Sequence, residues 1–124
     1  MTNTLEKKVY FSQLFYIYGK LLTRKQQELF IAYYEEDYSL QEIADEFGIS
    51  RNAVHDALKT AIKNLENFEE VLNLFKKNQK LDKIIDKYQN NKEFESIITE
   101  LKEMEWFRCR LKVYLKDFRW LCVA

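Results

Sequence analysis

The chain has 124 residues, no proline, two glycines, and 20 basic against 20 acidic side chains. With 47% hydrophobic and 32% charged residues it is too apolar for a disordered chain and too charged for a membrane bundle. The lack of proline and the scarcity of glycine exclude the turn-rich sandwiches and barrels, so an all-α fold is expected, as one helical domain over residues 1–124.

Helices are punctuated in chain order by caps and breakers. Leu5, Val9, Leu14, Phe15 and Tyr18 recur at helical spacing and predict a first helix over 5–18, stopped by Gly19, a residue that tolerates the left-handed conformation after a helix end. Thr23-Arg24-Lys25-Gln26 has the form of a capping box and opens a second helix to about Tyr34. After the acidic break Glu35 to Tyr38, Ser39-Leu40-Gln41-Glu42 offers another capping box, and the third helix must end by Gly48. Ser50 caps a fourth helix, along which Val54, Leu58, Ala61, Leu65, Phe68, Leu72 and Phe75 alternate steps of four and three. No breaker intervenes before Asn78, so this segment is expected to be one helix of about 28 residues, roughly 42 Å long. Either the C-terminal helices or a second copy of the chain must cover so long a seam. Leu81, Ile84, Ile85 and Tyr88 mark a fifth helix, Asn90-Asn91 a turn, and Phe94, Ile97, Ile98, Leu101 and Met104 a sixth. The last segment, 106–124, carries both Trp, both Cys and three of the five Arg; Arg108, Arg110, Lys112, Lys116 and Arg119 face Asp117 alone, the pattern of a basic amphipathic extension.

No run of about 18 uncharged apolar residues exists, and Met1 to Lys8 lack the apolar core of a signal peptide, so a cytoplasmic protein without membrane insertion is expected. Cys109 and Cys122 have no zinc-ligand spacing, and in one helix they would lie roughly 20 Å apart, beyond disulfide reach. His55 is the sole histidine, and the pairs Glu35-Glu36 and Glu69-Glu70 sit in polar context without a catalytic partner. No metal, cofactor or enzymatic activity is expected.

The most specific pattern lies within 22–65. Two helices that cross closely need a small residue at the contact, glycine in the turn and branched apolar residues beneath. Ala44, Gly48 and the trio Ile43, Ile49 and Val54 meet these demands in order, with Phe47 before the turn. This predicts a helix-turn-helix. If Ala44 and Val54 point inward, Ser50, Arg51, Asn52, His55, Asp56 and Lys59 point away. Arg51 suits guanine or a phosphate, Asn52 adenine, and Ser50 with the helix N-terminus a phosphate, while Lys59 can follow the backbone. Asp56 suits cytosine or an ion pair with Lys59. Arg24, Lys25 and Lys63 complete the candidate phosphate contacts. The charge distribution opposes this in part: residues 35–70 hold three cations and ten acids, a balance of −7. A second reading is an adaptor whose acidic hairpin docks on a basic protein, with Tyr33, Tyr34 and Tyr38 as exposed anchors.

Leu22-Thr23-x-Lys25-Gln26, Tyr34, Asp37-Tyr38-Ser39-Leu40-x-Glu42-Ile43-Ala44 and Ser50-Arg51-x-Ala53-Val54-x-Asp56 together resemble the YlxM family of small bacterial helix-turn-helix proteins, over roughly residues 5 to 105. More distantly, the block resembles region four of bacterial sigma factors, which binds promoter DNA through its second hairpin helix. The chain departs from the family pattern at Asn52 and His55, where Gln and Tyr are expected, and in its longer, more aromatic tail. The resemblance implies an all-helical cytoplasmic protein with a regulatory role in the signal recognition particle pathway and no catalytic residue. It further implies DNA or the particle's RNA as ligand, or the particle's GTPase as partner.

Overall fold

The computed structural model describes residues 2–104, and among these every regular element is helical. The chain divides into two compact units, Met1–Lys76 and Lys77–Ala124. The basic extension expected over 106–124, with both cysteines, lies outside the described residues.

In the first unit, α1 (Thr2–Tyr18) is followed by a turn of 3-10 helix over Gly19–Leu21. Gly19 is not left-handed, contrary to the expectation from sequence. Its missing side chain instead makes room for a ring, because a Cβ there would lie 3.1 Å from Phe15 Cε2. Thr23 caps α2 (Arg24–Phe30) with the full capping box: its side chain accepts from the Gln26 amide, and the Gln26 side chain accepts from the Thr23 amide. The rod continues as a wider π turn over Ile31–Glu35, closed by Glu36 N–H to Ile31 O and Tyr38 N–H to Ala32 O, with Asp37 left-handed at φ 57°.

Ser39 caps α3 (Leu40–Phe47), again with a complete capping box, here with Glu42. Gly48 takes φ 65° and ψ 33°, and the amides of Gly48 and Ile49 both bond back to Ala44 O, so the helix ends in a left-handed glycine turn. A Cβ at Gly48 would touch nothing within 4 Å. The glycine is therefore required by backbone conformation and not by crowding. Ser50 then accepts from the Ala53 amide and starts α4 (Arg51–Leu72). The helix-turn-helix expected from Ala44, Gly48 and Val54 is present.

α4 is the spine of this unit, packed against α1, α2 and α3. Val54, Leu58, Ala61 and Leu65 are its buried stripe, and Val54 and Leu58 share one core cluster with Leu29, Ala32, Ile43 and Ala44. Fully burying each Leu or Ile contributes about 1.5–3 kcal/mol, so the crossing is fixed chiefly by these apolar contacts. An aromatic column completes the packing, with Phe15 stacked on Phe30 at 4.3 Å and Phe30 on Tyr34 at 4.4 Å between centroids.

The fourth helix is shorter than its seam predicts. It ends at Leu72, and Asn73 is left-handed at φ 54° and ψ 27°. α5 (Leu74–Tyr88) begins at once, so Phe75 and Asn78 both lie on the next helix and Asn78 breaks nothing. Four hydrogen bonds explain the break. Tyr18 Oη donates to Glu69 Oε2 at 2.6 Å and accepts from the Leu74 amide at 3.1 Å. The carboxyl of Glu69 also accepts from the amides of Phe75 and Lys76. It thereby caps α5 from the last turn of α4. Glu69 is 4% exposed and Glu70 beside it is exposed, so the two acids of the Glu69-Glu70 pair differ in burial. Burial and the bond to Glu69 push the Tyr18 hydroxyl up to about 12.

In the second unit, α5 runs on to Tyr88, Asn91 caps a 3-10 turn over Lys92–Phe94 by accepting from the Glu93 amide, and α6 (Glu95–Met104) follows. Tyr88 meets Phe94 edge-on at 5.3 Å.

Candidate nucleic-acid interface

The N-terminal half of α4 has two unlike faces because 3.6 residues per turn separate Val54 and Leu58 from the positions between them. Val54 is 0% exposed, whereas Arg51, Asn52, His55, Asp56 and Lys59 are all exposed. Arg51, Lys59 and Lys63 have no ion-pair partner among the described residues. Ser50 is also exposed, but its Oγ already accepts from the Ala53 amide and acts first as a cap.

Other candidates are committed elsewhere. Asp56 lies 3.5 Å from His55 Nδ1, and not against Lys59 as its spacing suggested. Arg24 Nε donates to Glu28 Oε1 at 3.1 Å, an i,i+4 pair along the exposed side of α2, while Lys25 is exposed. Phe47 and Ile49 are partly buried against the same core cluster as Ile43, Ala44 and Val54, so the six residues assigned to the hairpin's interior all contact or flank it through the Gly48 turn.

Beside this face runs an open groove of about 470 Å³. Tyr33, Tyr34, Leu40, Leu58 and Ile62 make its apolar wall, and His55, Lys59, Lys63 and Glu66 its polar edge. Thus His55, Lys59 and Lys63 are brought to one place on α4, opposite the π turn that carries both tyrosines. Tyr33 and Tyr34 are half-buried and not the free anchors expected; Tyr38, 49% exposed, is the open one. Burial, then the neighbouring Tyr33, push the Tyr34 hydroxyl up to about 12. Lys8 Nζ sits 5.3 Å from the Tyr33 ring centroid and 3.7 Å from Asp37. The groove was hidden from sequence reasoning because its two walls are some twenty residues apart and meet only by folding; adjacent tyrosines opposite a Lys-x-x-x-Lys step were the available signal.

Residues 5–104 match the family model described as "UPF0122: Putative helix-turn-helix protein, YlxM / p13 like". The chain belongs to this family. A UPF0122 protein of Mycoplasma capricolum is 43% identical over 107 residues, covering 86% of this chain and 95% of that one. The UPF0122 protein YofM of Lactococcus lactis is 43% identical over 105 residues, covering 82% of this chain and 92% of its own. A UPF0122 protein of Caldanaerobacter subterraneus is 49% identical over a shorter stretch of 79 residues, 64% of this chain and 68% of the relative. Membership agrees with the hairpin geometry and supports, in general terms, a nucleic-acid-binding regulatory role. Among the described residues no helix is long and apolar enough to cross a membrane, and no cluster of three or more His, Cys, Asp or Glu is placed to hold a metal ion.

Proposed function

We propose that this UPF0122 protein is a regulator that binds a nucleic-acid duplex by laying the first turns of α4 into a groove, and that it serves the signal recognition particle pathway, with DNA or the particle's RNA as ligand. One observation carries the reading: Val54, Leu58 and Ala61 anchor α4 in the core while Arg51, Asn52, His55 and Lys59 remain exposed on its other side. Arg51 is assigned to a base edge or phosphate, Asn52 to a base edge, and Lys59 and Lys63 to the backbone. Three or four phosphate contacts give an affinity on the order of micromolar at physiological salt, so a useful complex calls for a second copy or a shaped RNA.

Titrating the protein with duplex DNA and with the particle's RNA, at two salt concentrations, tests this. Arg51→Ala is expected to cost about 1–3 kcal/mol of binding, and added salt to weaken it further. Binding that ignores both changes defeats groove insertion. A second reading has its own support, since Glu36, Asp37, Glu42, Asp45 and Glu46 are all exposed and place negative charge around the hairpin. In that reading the chain is an adaptor on the particle's GTPase, and binding to the GTPase with neither nucleic acid would establish it.

A further inference from the structure

A duplex offers base edges to a protein, whereas the groove between the π turn and α4 offers the side of an apolar, aromatic wall. Its volume, about 470 Å³, lies within the range of about 300–1,000 Å³ usual for small-molecule sites. Tyr34 is held from several sides, stacked on Phe30 at 4.4 Å with Phe11 edge-on at 6.2 Å, and it supports Tyr33 edge-on at 4.9 Å. Lys8 sits 5.3 Å from the Tyr33 ring centroid and is not among the residues that line the groove, whereas Tyr33 is. Both tyrosines belong to the π turn, an irregularity concentrated at functional positions in helices. Across from them stand Lys59 and Lys63, one helical turn apart, exposed and without ion-pair partners among the described residues; Glu66 is the one acid in the lining. The complementary ligand is flat and apolar on one side and carries closely spaced negative charge on the other.

We propose that this groove receives an unstacked base of a single-stranded nucleic acid, packed against Tyr33 and Ile62, with the flanking phosphates on Lys59 and Lys63. The site deepens the function proposed above, on which it rests, by adding a single-strand subsite that shares Lys59 and Lys63 with the face assigned to the duplex. It favours a structured ligand in which a helix is bordered by a loop or bulge. A purely cationic patch would bind the sugar-phosphate backbone without its bases. An acidic protein segment would be drawn to the lysines without needing the wall of rings.

The test uses the full chain and four labelled probes: a short adenine strand as RNA, the same strand as DNA, an abasic strand of equal length, and a duplex. The adenine strands are expected to bind about tenfold more tightly than the abasic one. Tyr33→Leu, which keeps an apolar side chain and removes the ring, is expected to erase that tenfold while leaving abasic and duplex binding unchanged. Tyr33→Trp should retain it. Ile62→Glu provides a second route, placing a like charge beside the phosphates without touching Tyr33, and thermal unfolding of each variant checks that it folds. Equal binding of abasic and adenine strands overturns the subsite, as does indifference to both Tyr33→Leu and Ile62→Glu, or an acidic peptide that competes as well as the strand. If duplex binding ignores Arg51→Ala while the adenine preference persists, groove insertion alone has failed. If the duplex binds as expected and the adenine preference is missing, this subsite alone has failed.

Discussion

Among the left-handed residues of the described chain, two that join successive helices have nearly the same conformation, Gly48 at φ 65° and ψ 33° and Asn73 at φ 54° and ψ 27°. The first is built from neighbours: Gly48 turns the chain, Ala44 O receives the amides of Gly48 and Ile49, and Ser50 caps the next helix from three residues away. The second is built at long range. Glu69 and the hydroxyl of Tyr18, 51 residues apart in sequence, bind each other and together take up the amides of Leu74, Phe75 and Lys76. The comparison teaches that equal backbone geometry can have unequal causes. One joint would survive as a local preference, while the other exists only after α1 has packed on α4.

The sharpest way to break the comparison is Glu69→Ala. It strands the buried Tyr18 hydroxyl and removes the acceptor of the partly buried amides of Phe75 and Lys76, and is expected to cost about 3 kcal/mol in urea unfolding, with the α4–α5 joint lost first. A cost below about 1 kcal/mol would mean that the joint is held by something other than this side chain.

Titration at high pH separates the joints further. The Tyr18 hydroxyl is raised from 10.0 to about 12 by burial and by its bond to Glu69, so the native state keeps a proton that the unfolded chain gives up. Stability from this source is complete below about pH 10 and falls as pH rises toward about 12. Tyr18→Phe is expected to flatten part of that alkaline loss and leave the part due to Tyr34, which is also raised to about 12. A curve unchanged by Tyr18→Phe would contradict this assignment.

The smallest effects concern the two turn residues. Gly48→Ala has space for its methyl group and only the left-handed backbone to resist it, so a loss of about 1 kcal/mol is expected. Asn73→Gly should be nearly neutral, because asparagine already tolerates that conformation and glycine tolerates it better. Comparable large losses at both positions, read from denaturant midpoints, would erase the distinction between a local and a long-range joint.

The all-helical class, the capping boxes at Thr23 and Ser39, the Ser50 cap and the glycine turn were readable in sequence, since each is a contact between residues no more than about five positions apart. Apolar spacing also marked the buried stripe Val54, Leu58, Ala61 and Leu65, and with it the exposed face on which the candidate contacts lie. The same spacing misled beyond Leu65. Steps of four and three continue through Leu72 and Phe75, but Leu72 is 44% exposed and Phe75 belongs to α5. Periodicity reports which residues could share a face, and it is silent on whether a distant tyrosine will end the helix that bears them.

Gly19 shows the same division at the scale of one residue: its position after a helix suggested a left-handed cap, and the packing of the Phe15 ring gave it a different reason to be glycine. The amino-acid sequence by itself determined the helical class, the caps at Thr23, Ser39 and Ser50 and the helix-turn-helix, because these depend on short-range hydrogen bonds and on which side chains avoid water. Only the tertiary structure decided where α4 stops, that Glu69 is buried, and that Tyr33, Tyr34, Lys59 and Lys63 face one groove, because each depends on side chains far apart in the chain meeting in space.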